Sequence, residues 1–109
     1  MTSSEMLTTY NTLSDLTSNM LSAAEQGEWD HVADLENHCQ NHVGTLMHTA
    51  PVALTEKEQR AKVAIIRAIL QNDAKIRALA EPRLHDLQQR LSMARAGQRG
   101  VEAYGSQRL

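Results

Sequence analysis

The feature that most constrains the fold is a long stretch with helical periodicity, over residues 55–96. Thr55 and Glu58 stand three residues apart, which is the spacing of a capping box at a helix N-terminus. At 100° per residue, the apolar positions that fall in one tight arc are Ile65, Ile69, Ile76, Leu87, Leu91 and Ala94. The stretch therefore predicts one long amphipathic helix that ends at Gly97.

The apolar surface of this third predicted helix is wider than one packing face requires. Ile66, Leu70 and Leu84 lie on one side of the arc and Leu79 lies on the other. Apolar residues then cover about half the circumference, against about 100° for a single face. The additional apolar surface can pack against a second helix of the same chain or against a partner. Arg77 borders it, and a cation beside an apolar strip is typical of a groove for an amphipathic helix.

A proline interrupts the pattern of this helix at position 82. Proline removes one backbone hydrogen bond and crowds the carbonyl one turn earlier. By the same angular count, Pro82 falls on the polar side of the helix. We therefore expect a kink with its convex side toward solvent and not a break.

Two shorter helices are predicted before the long one, over residues 4–25 and from near Glu28 to the residue before Pro51. Gly27 suits a helix C-cap, and the short link around it favours antiparallel neighbours. The apolar positions of both helices recur at steps of three and four. They are Met6, Tyr10, Leu13, Thr17, Met20 and Ala24 in the first helix, and Trp29, Val32, Leu35, Cys39, Val43, Leu46 and Ala50 in the second.

The last predicted segment is short and weakly apolar. Residues 98–104 contain Val101, Ala103 and Tyr104 as their apolar residues, and a helix of two turns is marginal alone in water. The predicted fold is all-α, an antiparallel three-helix bundle over residues 1–97 with a short fourth C-terminal helix and tail over residues 98–109. Such a weak segment suits a regulatory latch that a partner can displace, with an ordinary packed C-terminal Tyr104 as the alternative.

Composition excludes several classes of function. A chain of 109 residues is long enough for one domain, and its net charge of −2 provides no bulk attraction to nucleic acid or to an anionic membrane. No apolar run approaches the roughly 18 residues that a membrane span needs. The single Cys39 cannot form an internal disulfide. We therefore expect a soluble cytoplasmic protein with no nucleic-acid partner and no membrane insertion.

The residues that could carry chemistry are few. Asp34, His38 and His42 follow one another at single-turn spacing, but one exposed helix face cannot surround an ion as zinc-type sites require. Cys39 falls on the apolar stripe, where a thiol behaves as a small hydrophobic residue. No phosphate-binding loop or catalytic triad is recognisable. We expect no enzyme activity, no metal and no cofactor, and a site built on His38, His42 and Cys39 is the alternative.

Three stretches, taken together, resemble the FliT family of flagellar type III export chaperones. QGEWD at residues 26–30 resembles the turn that opens that family's second helix. ILQNDAKIRALAEPRLHDL at residues 69–87 is similar to its third helix, and AYG at residues 103–105 to its C-terminal Ala-Tyr-Gly. The resemblance rests on the order and spacing of all three and spans essentially the whole chain. The chain departs from the family pattern at Pro82 and in its very short tail after Tyr104.

The resemblance implies a function in flagellum assembly. FliT-like proteins bind the C-terminal region of the filament cap protein FliD in the cytoplasm, keep it unpolymerised and deliver it to the export apparatus. The same resemblance implies contacts with the export ATPase FliI, its partner FliJ, the gate component FlhA and, in enteric bacteria, the master regulator FlhDC. The family's short fourth helix folds over the partner-binding face and restrains it.

The resemblance also implies residue roles. Ile66 and Arg77 match third-helix positions implicated in partner binding, and Tyr104 matches a fourth-helix tyrosine associated with docking at the export gate. With Leu70 and Leu84 at the same apolar edge, these residues form the predicted partner-binding set. The alternative is a helical homo-oligomeric structural or adaptor protein, in which the surplus apolar surface is a self-association seam. A weak homodimer is compatible with both readings.

Overall fold

The computed structural model describes the backbone of residues 1–107 and the side chains of residues 1–96. It contains three helices, α1 (Ser3–Glu25), α2 (Trp29–Met47) and α3 (Glu56–Gln107), and no strand among the residues described. The all-α prediction is therefore confirmed. The chain forms two compact units, Met1–Ala78 and Leu79–Leu109. The first unit holds α1, α2 and the first part of α3.

A reciprocal capping box begins α3, as its sequence predicts, and the Thr2 side chain caps the start of α1. The Glu5 backbone N–H donates to Thr2 Oγ1 at 3.1 Å, and the Thr2 hydroxyl donates to Glu5 Oε1 at 3.2 Å. At the start of α3, the Glu58 N–H donates to Thr55 Oγ1 at 3.1 Å, and the Thr55 N–H donates to Glu58 Oε1 at 3.0 Å. The bonds from the Glu5, Glu58 and Thr55 N–H groups satisfy backbone donors that the helices themselves leave without acceptors.

A glycine turn reverses the chain between α1 and α2. Gly27 has φ of +76°, a left-handed conformation that residues with a Cβ rarely adopt. Its N–H donates to the Ala24 carbonyl at 3.1 Å, and the Glu28 N–H donates to the Ala23 carbonyl at 2.9 Å. This is a Schellman motif. The turn is so short that α1 and α2 pack as antiparallel neighbours.

The third helix runs in the same direction as the first. Residue numbers rise together across three α1–α3 contacts, which are Ser3 with Glu58, Tyr10 with Lys62, and Thr17 with Asn72. Because α2 is antiparallel to α1, the first unit is an up-down-up arrangement. The predicted bundle thus has antiparallel neighbours in sequence and a parallel first and third helix.

One hydrophobic core fills the first unit. Its buried residues are Leu13, Met20, Ala23, Ala24, Val32, Leu35, Cys39 and Ile76. Every one of them lies on a stripe or arc that the helical periodicity predicts, apart from Ala23, which neighbours Ala24. Small side chains at the end of α1 let α2 approach closely there.

The third helix continues beyond the predicted stop. It is assigned as a single element from Glu56 to Gln107, so the separate fourth helix expected after Gly97 is not shown. A glycine inside a helix costs only about 1 kcal/mol relative to alanine, so Gly97 does not by itself force the helix to end. Pro82 lies inside α3 without breaking it, as predicted. The division at residue 97 into bundle and latch stays a prediction.

Candidate functional site

An apolar groove opens on the surface of the first unit. Its volume is about 380 Å³. Ile66, Ile69 and Leu70 line it from α3, and Tyr10 and Leu13 line it from α1. Leu13 also belongs to the core, so the groove lies directly over the packed interior.

The third wall of the groove comes from the end of α2. Val43, Leu46 and Met47 line it there. Val43 is 42% exposed and Met47 is 77% exposed, while Leu70 on the facing helix is 59% exposed. Val43 was expected on the buried stripe of α2, and the structure corrects this, because α2 and α3 do not cover each other at this end. The two helices therefore leave apolar side chains from both walls open to solvent.

A polar contact holds α1 against α3 beside this groove. The Asn72 side-chain amide donates to Thr17 Oγ1 at 3.1 Å and to Ser18 Oγ at 3.2 Å. Thr17 is buried, and its hydroxyl donates in turn to the Ser14 carbonyl at 2.9 Å. Since a buried hydroxyl needs partners, this network fixes α1 and α3 at one register. The alignment of α3 against α1 at Asn72 determines which residues of the preceding turn of α3 face the groove.

The aromatic wall of the groove carries a cation. Lys62 Nζ lies 5.8 Å from the centre of the Tyr10 ring, within the range of a cation–π interaction. Lys62 is one turn before Ile66 on α3 and partly buried. The groove is thus apolar along its walls, with the Lys62 ammonium beside its tyrosine.

The structure brings together two of the predicted partner-binding residues. Ile66 and Leu70 line the groove. Arg77 is exposed and lies seven residues beyond Leu70, about 10 Å along the helix axis, and it is not part of the groove lining. Leu84 belongs to the second unit. The Tyr104 side chain lies outside the described residues.

The second unit also exposes apolar side chains. Leu84, Leu87 and Leu91 recur at steps of three and four on α3, and each is about half exposed. We call these three residues the distal leucine stripe. Every side chain described from position 81 to position 96 is exposed. The predicted surplus of apolar surface on the third helix is therefore present in both units.

Sequence reasoning missed two residues of the site. Met47 falls off the apolar stripe of α2, and its exposure follows from the end of that helix at the same residue. Asn72 was noted only as part of a stretch that resembles a known family. Thr17 on the apolar stripe of α1 could have indicated that a polar residue packs against it. A hydroxyl in a predicted core position requires a partner, and Asn72 provides it.

The residues considered for metal or thiol chemistry are not assembled into a site. Cys39 is buried, and its thiol lies 3.7 Å from Met20 Sδ. Burial raises the pKa of the Cys39 thiol, and the nearby carboxylates of Glu36 and Asp73 raise it further. Within residues 1–96, no group of three or more His, Cys, Asp or Glu side chains could hold a metal ion. Nor does any described helix have the length and apolar character needed to cross a membrane.

Comparison with known proteins provides independent evidence about the family of this chain. The sequence profile of the family described as flagellar protein FliT matches residues 7–106. A flagellar protein FliT from Photorhabdus laumondii subsp. laumondii is 26% identical over 102 residues, which are 93% of this chain and 82% of that protein. The crystal structure of flagellar protein FliT from Bordetella bronchiseptica is similar with a TM-score of 0.69 and 34% identity, over 76% of this chain and 95% of that one.

Proposed function

Since the chain belongs to the FliT family of flagellar proteins, we propose that it is a flagellar type III export chaperone that binds the C-terminal region of the filament cap protein FliD. In the cytoplasm it keeps FliD unpolymerised and delivers it to the export apparatus. It hands FliD on through contacts with FliI, FliJ and FlhA, and FlhDC is a further partner.

The observation that supports this proposal most is the open groove between α2 and α3. Single exposed apolar side chains are ordinary on a protein surface, whereas a contiguous exposed patch is typical of a protein-binding surface. Leu70 from α3 and Met47 from α2 both line the groove with most of their surface exposed. An amphipathic helix placed between them would bury its apolar face against Ile66 and Leu70.

The C-terminal segment would regulate this site. Residues 98–109 contain Tyr104 and few other apolar residues, so their docking would contribute little net stability. A weakly held segment can be displaced by FliD and then present Tyr104 to the export gate. Arg77 and Leu84, which are not part of the groove lining, stay proposed partner-binding residues.

The test is a calorimetric titration of the full chain with FliD from the same organism. Ile66→Asp should weaken binding by at least about tenfold, because it places a carboxylate against apolar surface that the partner must cover. Ala64→Asp is the matched control, since Ala64 is exposed on the opposite face of the same helix. No FliD binding by the unmodified chain would reject the proposal. Native helicity with unchanged affinity in Ile66→Asp would remove Ile66 from the site.

Truncation after Gly97 tests the regulatory part separately. Removing residues 98–109 should strengthen FliD binding and weaken contact with FlhA. Unchanged affinity of the truncated chain for FliD would contradict the latch and leave the groove proposal intact.

The distal leucine stripe favours a second candidate function, a helical homo-oligomer. Leu84, Leu87 and Leu91 have the spacing of a coiled-coil seam, and an exposed seam invites self-pairing. Sedimentation at micromolar concentration separates the candidates. A stable dimer that does not bind FliD would favour the oligomer, whereas a monomer or weak dimer that binds FliD favours the chaperone.

A further inference from the structure

The distal leucine stripe is the centre of a longer repeat in the second part of α3. Its members are separated by steps of four, three, four and three, and they are Ala80, Leu84, Leu87, Leu91 and Ala94. We call these five residues the distal seam. The spacing is that of the a and d positions of a coiled coil, which pack against a second helix.

The distal seam has no covering helix in its own unit. In the part of the second unit that the structure describes, α3 is the one element, and every side chain from position 81 to position 96 is exposed. A single helix of this length is marginal in water, because most helical stability comes from packing of an apolar face. The second unit therefore gains stability from a partner helix.

The charged residues beside the seam are divided between its two flanks. At 100° per residue, Glu81 and Arg95 lie on one flank with Gln88 between them. Arg83 and Arg90 lie on the other flank. The first flank thus carries a negative charge at one end and a positive charge at the other, with a neutral amide at its middle.

An antiparallel second copy would match the first flank to itself. When two copies of one helix pair antiparallel about a two-fold axis, each flank meets the same flank of the other copy. If Leu87 lies opposite Leu91 of the second copy, Gln88 meets its own equivalent at the axis. Glu81 of each copy then meets Arg95 of the other. The pairing therefore forms two contacts between opposite charges.

The second flank does not oppose this arrangement. Arg90 approaches its own equivalent near the axis, but each Arg90 is paired with Asp86 of the same helix, with their side-chain atoms 3.1 Å apart. Arg83 would lie opposite position 97 of the second copy, which is an uncharged glycine. The charges of the second flank are thus balanced within each copy or meet no charge.

A parallel second copy would place like charges together. In a parallel pair, each flank meets the opposite flank of the other copy. Arg95 then meets Arg90, and Gln88 meets Arg83, while Glu81 has no cation opposite it. Because like charges across a helix pair are unfavourable and opposite charges set the orientation, the charge pattern favours the antiparallel pair.

We propose that a second copy of this chain packs antiparallel along the distal seam, with a two-fold axis near Gln88. Leu87 and Leu91 pack on each other's equivalents at the centre, and each Leu84 packs against Ala94 of the other copy. One pair of helices is a small interface, so the dimer is reversible. The interface shares no residue with the groove lining, so the proposal goes beyond the proposed function and does not depend on FliD binding.

Charge exchange on the first flank tests the direction of the pair. Sedimentation of the full chain over a series from micromolar to hundreds of micromolar measures the dissociation constant of the dimer. Glu81→Arg and Arg95→Glu should each weaken the dimer on the order of tenfold at low ionic strength, because each turns two opposite-charge contacts into like-charge contacts. The double variant Glu81→Arg, Arg95→Glu should restore the dimer, which damage to the fold cannot produce.

Two outcomes of the charge exchange would overturn the proposal. A parallel dimer would be tightened by Arg95→Glu, because the new glutamate meets Arg90. A double variant that stays as weak as the single variants would show that Glu81 and Arg95 do not meet. A chain that is monomeric at every concentration would also overturn the proposal.

Aspartate substitution tests the seam itself. Leu87→Asp should abolish the dimer, because it places a carboxylate at the centre of the apolar contact. Met93→Asp is the control, since Met93 is exposed on the opposite face of the same helix and should leave the dissociation constant unchanged. Equal effects of the two variants would contradict pairing through the seam.

Titration of Leu87→Asp with FliD separates this proposal from the proposed function. Loss of the dimer with native FliD affinity supports a self-association surface that is distinct from the groove. A dimeric chain that does not bind FliD would reject the chaperone role and leave the dimer in place. A monomeric unmodified chain whose FliD binding is lost in Leu87→Asp would assign the seam to FliD and overturn the proposal.

Discussion

The two units of the chain treat apolar side chains on the same long helix differently. In the first unit, Ile76 of α3 is 8% exposed and belongs to a core shared with α1 and α2. In the second unit, Leu84, Leu87 and Leu91 are each about half exposed. Periodicity places all four residues in nearly the same arc. The difference teaches that a helical pattern identifies a face, whereas the number of available partner helices decides whether that face is covered.

The largest expected effect contrasts one methionine from each unit. Met20 is 3% exposed and packs in the core, whereas Met93 is 73% exposed. Met20→Ala should lower the free energy of unfolding by about 3 kcal/mol, because it leaves a cavity in a packed interior. Met93→Ala should change it by less than about 0.5 kcal/mol. Urea denaturation followed by circular dichroism measures both, and similar losses in the two variants would contradict the division into a covered and an uncovered part.

A smaller loss of folding free energy is expected from removing either of two side-chain amide hydrogen bonds, one in each unit. Asn72 joins α3 to Thr17 and Ser18 of α1, while Gln89 bonds only to His85 within α3 at 3.2 Å. Asn72→Ala should cost about 1 kcal/mol of folding free energy, since it leaves a buried hydroxyl with one partner fewer. Gln89→Ala should cost a few tenths of a kcal/mol at most.

The urea denaturation midpoints of the two amide variants test whether the Asn72 contact fixes α1 against α3. If Gln89→Ala is as destabilising as Asn72→Ala, the contact between α1 and α3 does not fix the register of the first unit. A loss confined to Asn72→Ala, together with weaker FliD binding, would tie that register to the shape of the groove.

The smallest expected effect depends on pH. Hydrogen bonds lower the pKa of Glu58 below its ordinary value of 4.5, first from the Thr55 N–H and then from the Ser3 and Thr55 hydroxyls. A lowered folded-state pKa contributes stability above the ordinary value, and that contribution is lost as pH falls through the lower one. Glu58→Gln should therefore flatten the acid side of the stability profile, measured as thermal midpoint between about pH 7 and pH 2.

Asp86→Asn is the matched carboxylate-to-amide change in the second unit. It removes an exposed ion pair with Arg90, whose side-chain atoms are 3.1 Å apart within one helix. Such pairs contribute little, so the acid profile should keep its shape. An unchanged profile in Glu58→Gln would show that the hydrogen bonds of Glu58 to Thr55 and Ser3 have no role in acid stability.

Much of the fold follows from the sequence, because helix signals are local. Capping pairs three residues apart, the left-handed Gly27 and stripes at steps of three and four are each determined by neighbours in the chain. The expected end at Gly97 illustrates the limit. A glycine can end a helix or lie within one at a cost of about 1 kcal/mol, and its residue type alone does not decide between them.

The site was predictable in part. Ile66 and Leu70 were predicted from the excess width of the apolar arc, and they line the groove. Met47 was not, because its exposure depends on where α2 ends relative to α3, a tertiary property that no single helix encodes. Arg77 has nearly the same angular position as Leu70 but lies about 10 Å farther along the helix axis. A helical projection shows angle and not axial distance, so it could not separate Arg77 from the groove residues.

Two further methionine variants test whether the apolar groove of the first unit binds the partner helix. Met47 on the groove wall and Met93 in the second unit are exposed to nearly the same extent, 77% and 73%. Each is changed to glutamine, which keeps the length and removes the apolar character, and each variant is titrated with FliD. We expect about tenfold weaker binding for Met47→Gln and unchanged binding for Met93→Gln. Equal affinities of the two variants for FliD would contradict binding in the groove.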